Sequence, residues 1–189
     1  MKTIRAFFAI MPPQEMQVHL LKVLKKLKPE CPANIRWVDP KNIHITLQFL
    51  SQLLIEDVKP LSDKVREELK NIPHFQLTIG PLEWFPSPKH PKVLSLVVEP
   101  QEILLQLANS IAQAVDAFHY PMESRTFRAH MTIGRVQYDK HKKSLLSHIE
   151  LDAIPPIFID KIHLMESKLG KEKMDYFPLT QFDLNTVSS

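Results

Sequence analysis

The chain has 189 residues, 44% hydrophobic and 24% charged, a balance that excludes a disordered or membrane-embedded protein and is enough to bury a core. Its formal charge of +3 assists the approach of an anionic ligand but falls short of a surface built to wrap nucleic acid. The single cysteine, Cys31, excludes an intrachain disulfide, and with no cysteine cluster for structural zinc a reducing, cytoplasmic compartment is expected.

The opening "MKTIRAFFAIMPP" sets basic residues before an apolar run, as a signal peptide does. Residues 6–11 are shorter than the roughly 7–15 apolar residues of such a segment, however, and they end in Pro12-Pro13 without a small-residue cleavage pattern. Residues 4–10 therefore predict a first strand. "PPQEMQVHLLKVLKKLK" then places Met16, Leu20, Leu24 and Leu27 on one helical face behind an N-terminal proline. Its Lys22, Lys25, Lys26 and Lys28 are expected to form the solvated face rather than an RNA-binding stripe.

A short extended piece at 36–38, a strand at 43–50 and a helix at about 56–70 lead into the extended run "HFQLTIGPLEWF". The second half opens with "KVLSLVVEP" and the helix "EILLQLANSIAQAVDAF". It continues through "FRAHMTIGRV", a short helix near 140–149, "IFIDKIHLMES" and a last strand at about 174–184. No stretch approaches the ~18 apolar residues of a membrane span.

Both halves run strand, helix, histidine-bearing strand, helix, strand. Ile4 and Val93, His44 and His130, and Phe75 and Phe158 recur at nearly one offset, which implies an internal duplication at approximately 1–88 and 89–189. The expected fold is α+β and bilobal: two pseudo-twofold-related lobes of mainly antiparallel sheet with outer helices, forming a single domain. A doubly wound parallel sheet is disfavoured, because only three glycines are present and none forms a phosphate-cradling turn.

Residues two apart on a strand share a face. In "NIHITLQFL" that puts Ile43, Ile45, Leu47 and Phe49 on a core side and His44, Thr46 and Gln48 on the other. In "RAHMTI", Ala129, Met131 and Ile133 oppose Arg128, His130 and Thr132. Two polar faces meeting across a cleft would present two imidazoles and two hydroxyls to one ligand. Such a pair suits phosphoryl chemistry: near neutral pH one histidine can take a proton from water while the other gives one to a leaving oxygen. Each threonine hydroxyl can donate to a non-bridging oxygen where charge develops, and no metal is required. Three other readings stay open: exposed His-x-Thr pairs without a role, a zinc site lacking its third and fourth ligands, and phosphate binding without turnover.

The doubled motif, "HITL" at 44–47 and "HMTI" at 130–133, resembles the 2H phosphoesterase superfamily, and within it the RNA 2′,3′-cyclic phosphodiesterases also called 2′-5′ RNA ligases. "RAFFAIMPP", "RWVDPKNIHITLQFL", "FRAHMTIGR" and "IHLMESKL…YFPLTQFDL" carry the same likeness over most of the chain. The resemblance implies a central cleft holding both motifs, and hydrolysis of an RNA 2′,3′-cyclic phosphate end to a 2′-phosphate, with no cofactor and no metal. His44 would be the proton donor to the departing 3′ oxygen and His130 the proton acceptor from water, with Thr46, Thr132 and Arg135 holding the phosphate. RNA ends or nucleotides bearing the cyclic phosphate are the implied partners of a monomer without membrane association. A 2′-5′ ligase, another 2H phosphodiesterase and a non-catalytic RNA-end binding module are the alternatives.

Strict alternation places Arg135 on the side of Met131 and Ile133, so its phosphate role requires a bulge at Gly134 or an end to the strand there. Arg128 has the parity to face the cleft or line its rim. Ala129 and Ser51 stand where the family commonly has proline and glycine. Trp37 and Phe49 are candidates for stacking a nucleobase, although Phe49 follows core parity. The histidines at 19, 74, 90, 119, 141, 148 and 163 lack a threonine two residues on and are read as structural or exposed. Cys31 lies in a proline-flanked loop with no base nearby, which argues against thiol chemistry.

Overall fold

The structure is a computed structural model, and it describes all residues except 32–34, 123–125, 138–145, 147–148, 171–172 and 186–189. The helix expected near 140–149, with His141 and His148, lies almost wholly outside the described residues.

The elements follow the hydrophobic pattern. β1 (Thr3–Ile10) gives way at Pro13 to α1 (Gln14–Glu30), whose Met16, Leu20, Val23, Leu24 and Leu27 form one buried stripe, while its lysines are exposed. β2 (Ile35–Trp37) leads through a 3-10 turn at Pro40–Asn42 to β3 (Ile45–Leu54). α2 (Val58–Leu69), β4 (Phe75–Phe85), β5 (Val93–Glu99) and α3 (Gln101–Asp116) follow. The remaining strands are β6 (His130–Val136), β7 (Ile157–Ile159), β8 (Lys161–Leu169) and β9 (Met174–Asp183). Among the described residues no helix is long and apolar enough to cross a membrane.

The strands hydrogen-bond in the order β7-β4-β5-β6-β3-β1-β8-β9, with β2 also on β6, and every strand pairing is antiparallel. The expected α+β class with mainly antiparallel sheet is what forms. The three helices bury their stripes in one cluster with Phe8, Leu50, Leu96 and Met131, all on the same face of the sheet. Each fully buried leucine there contributes roughly 1.5–3 kcal/mol. The other face carries a small cluster, Phe7, Ala9 and Met165, and is the open side. β1 is thus apolar on both faces, which is why it reads as a continuous apolar run.

Two four-stranded groups, β7-β4-β5-β6 and β3-β1-β8-β9, are joined through the pair Ile45↔Met131, with β2 bracing β6 beside it. Neither half of the sequence builds its own group. β4 crosses to pair with β5, and β8 and β9 return to extend β1.

Candidate active site

His44 lies between the 3-10 turn and β3, and His130 is the first residue of β6. Ile45 and Met131, the paired residues of the junction, are the middle residues of the two His-x-Thr triplets, so all four polar side chains flank one point of the sheet. The two imidazoles are close enough that the charge of His130 acts on His44.

Each imidazole is held the same way. His44 Nδ1 lies 2.7 Å from the carbonyl of Asn42, and His130 Nδ1 lies 3.0 Å from the carbonyl of Arg128. Because a carbonyl only accepts, Nδ1 carries the proton in both rings and Nε2 is left to the site. His44 Nε2 is 3.0 Å from the Thr46 hydroxyl. Asn42 is itself anchored, its side-chain amide donating to the Met174 carbonyl at 2.9 Å, while Lys173 meets Asp39 at 2.6 Å. The start of β9 therefore clamps the turn that presents His44.

Aromatic rings border both imidazoles. Phe7 lies 4.7 Å from His44 and Tyr176 meets it edge-on at 5.3 Å. Phe85 stacks on His130 at 3.7 Å, with the Arg128 guanidinium 4.5 Å from the Phe85 centroid. Burial pushes His44 down to about 4; the positive charges of Arg135 and His130 add to this, and the Asn42 carbonyl opposes it. Burial also lowers His130, opposed by the Arg128 carbonyl and the charge of Glu83. Burial thus favours the neutral form of both imidazoles in the free protein.

Arg135 proves to lie on the site face. Leu94 pairs with Gly134 but Ser95 pairs with Thr132, so Ile133 is an extra residue, a bulge that reverses the alternation. Arg135 then pairs with Val93, on the same side of β5 as Ser95, the partner of Thr132. Gly134 makes this packing possible: a Cβ there would come within 2.5 Å of Ile35 Cγ2. The charge of Arg135 acts on both histidines.

The same device in β3 corrects the parity expected for Phe49 and Gln48. Ala9 pairs with Thr46 and Phe8 with Gln48, so Leu47 bulges. Phe49 therefore pairs with Phe7 and packs into the open-face cluster, with Arg5 5.3 Å from its ring centroid. Gln48 moves to the helix side and is buried. In each motif the fourth residue is the bulged one. Trp37 pairs with Gly134 and packs on the main core, away from the site face.

Arg128 reaches Glu83 at 2.8 Å, and Ser95 lies 3.4 Å from the other oxygen of that carboxylate. Ala129 uses its N–H: Gln101 accepts from it and donates to its carbonyl, both at 3.0 Å. His163, read as structural, pairs with Ala9 and so stands on the site face two strands from Thr46. Phe7, Phe85, Glu83, Ser95 and Tyr176 have no signal in the linear pattern, because only strand pairing brings them to the histidines; Asn42 is a sequence neighbour of His44, but a backbone carbonyl carries no residue signature. Burial raises the Cys31 thiol, which disfavours its thiolate. Among the described residues no group of three His, Cys, Asp or Glu side chains is placed to hold a metal ion.

The model of the 2′-5′ RNA ligase superfamily matches residues 12–171. The chain is similar to the RNA 2′,3′-cyclic phosphodiesterase of Aquifex aeolicus, 31% identical over 97% of this chain and 99% of that protein. It is also similar to the protein of the same name from Methanothermobacter thermautotrophicus, 24% identical over 96% and 99% of the two chains. Among solved structures, E. coli LigT complexed with 3′-AMP superposes with a TM-score of 0.78 at 25% identity, covering 98% of this chain and 100% of that one. With both His-x-Thr motifs inside the matched span, the chain belongs to the 2′-5′ RNA ligase superfamily of 2H phosphoesterases.

Proposed function

We propose that the protein hydrolyses the 2′,3′-cyclic phosphate at an RNA end to a 2′-phosphate by two-histidine acid–base catalysis. The observation that carries this is the pair of His-x-Thr triplets meeting at Ile45↔Met131, each imidazole pinned through Nδ1 with Nε2 left to the site. The activity named for relatives such as that of Aquifex aeolicus supports the substrate class.

His130 Nε2 takes a proton from water as the water oxygen bonds to phosphorus. The P–O3′ bond breaks, and His44 delivers its proton from Nε2 to the departing O3′. Thr46 and Thr132 donate to the non-bridging oxygens, and Arg135 balances the charge of the pentacovalent centre. His44 must be protonated to act as the acid although burial disfavours this in the free protein. The bound phosphate anion supplies the opposite charge that raises it.

With a 5′-hydroxyl in place of the attacking water, the same two proton transfers, to His130 from the hydroxyl and from His44 to O3′, form a 2′-5′ linkage as the P–O3′ bond breaks, and 2′-5′ ligation is the second reading. The matched bulges after Thr46 and Thr132 support the duplication of approximately 1–88 and 89–189. A monomeric, cytoplasmic protein remains part of the proposal.

The test is turnover of a nucleoside or oligonucleotide 2′,3′-cyclic phosphate in EDTA, with the product identified. A 2′-phosphate formed at undiminished rate is expected. Loss of activity on chelation, or a 3′-phosphate product, overturns the mechanism, and joining of ends without hydrolysis selects the second reading.

A further inference from the structure

Arg36 of β2 pairs directly with Arg135 of β6. Residues directly opposed on antiparallel strands share a face, with Cα atoms about 4.5–5.5 Å apart, and like charges so placed destabilise the sheet. Both arginines are exposed, and neither has a carboxylate partner among the described residues. By contrast Arg128, on the same face, is neutralised by Glu83. The repulsion is also avoidable, because any polar residue on β2 would keep its exposed position. An anion between or beside the two guanidinium groups turns this local cost into binding.

Arg135 accounts for one anionic group, since its charge acts on both histidines and it shares a face with Thr132. Arg36 stands one strand beyond it, on the edge of β6 away from β5, and its charge is not among those acting on either histidine. A second anionic group, one strand spacing from the first, is what this position fits. Resting on the proposed activity, we propose that Arg36 binds the internucleotide phosphodiester that links the terminal nucleotide to the rest of the RNA. The protein thereby favours a cyclic phosphate on a polynucleotide over the same group on a free nucleoside.

The test compares kcat/KM for a nucleoside 2′,3′-cyclic phosphate and for a short oligonucleotide ending in one, using wild type, Arg36→Gln and Arg36→Lys. For Arg36→Gln, the oligonucleotide value is expected to fall about ten-fold, chiefly in KM, with a much smaller loss on the nucleoside. The slope of log KM against log salt for the oligonucleotide should shrink by about 0.7, the share of one phosphate contact on a single strand. Arg36→Lys should recover most of the loss. Melting temperature should hold or rise in Arg36→Gln, since the opposed charge is gone, whereas a purely structural role would lower it. An equal fall on both substrates, an unchanged oligonucleotide value, or an unchanged salt slope overturns the assignment. If wild type turns over neither substrate, the phosphodiesterase reading itself has failed, and the role of Arg36 with it.

Discussion

Ile45 pairs with Met131, and this contact between two buried apolar residues sets the distance between two catalytic candidates that never touch through their own strands. The apolar residue inside each His-x-Thr triplet is therefore as much part of the site as its neighbours. Met131→Ala would leave a cavity where the two strand groups join, at a cost of about 2–5 kcal/mol. Activity should fall further than that of a core variant of equal stability distant from the junction, such as one at Leu69. Equal activity in the two variants, at a temperature where both remain folded, would count against the junction's role.

Removing either imidazole should be severe. His44→Ala and His130→Ala are each expected to lower kcat/KM on a 2′,3′-cyclic phosphate by about 10²–10⁴-fold. Circular dichroism and melting curves should stay close to wild type, since both rings lie on the open face. A fully active single variant would remove that histidine from the chemistry.

His44 also links stability to pH. Its folded pKa of about 4 lies below the ordinary 6.5, so the folded state resists binding a proton that the unfolded chain accepts. Its contribution is complete above pH 6.5 and is lost as pH falls toward 4. The full shift corresponds to roughly 3 kcal/mol. Denaturation of wild type and His44→Asn between pH 7 and 4 should show wild type losing more stability on acidification; parallel curves would refute the linkage.

Phe85 covers one face of the His130 ring at 3.7 Å. Burial is the main cause of that histidine's lowered pKa, so Phe85→Ala should raise it toward the ordinary value, leaving more imidazolium near neutral pH. NMR titration of the His130 ring reads this directly. If His130 is the proposed base, the pH at which it becomes available should move up with it, and an unmoved titration would show that other groups exclude water there.

Gly134 faces Ile35, and a Cβ on it would meet Ile35 Cγ2 at 2.5 Å. Gly134→Ala should therefore destabilise by about 1–3 kcal/mol and disturb Arg135. Ile35→Ala removes the clashing methyl group, so the double variant should be more stable than the two single effects added together. Simple additivity would show that the clash is not what Gly134 avoids.

The histidine motifs and their apolar partners were legible because a two-residue period and a strand's two faces are local properties. The alternating face held from Ile43 to Leu47 and from Ala129 to Ile133. It failed at Phe49 and Arg135 for one physical reason: each motif's fourth residue is extruded as a bulge, and a bulge leaves no mark on composition. Gly134 is the one hint, since a glycine permits a bulge, although Ile133 is the residue that makes it. The rings around the imidazoles were invisible for a different reason. Phe7, Phe85 and Tyr176 come from three strands remote in sequence, and nothing local says which strands will be neighbours.

The return of β8 and β9 to the group that holds β1 and β3 has a consequence for the order of assembly. As the chain leaves the ribosome, His44 emerges early, yet the Met174 carbonyl that anchors its turn and the Tyr176 ring that borders it arrive more than a hundred residues later. Through synthesis of everything before β9, the turn that presents His44 lacks its anchor, although the local Asn42 carbonyl is already present. The His44 turn is anchored in one late, long-range pairing, so a nascent or C-terminally clipped chain is expected to be inert toward a 2′,3′-cyclic phosphate even where most of its core has formed.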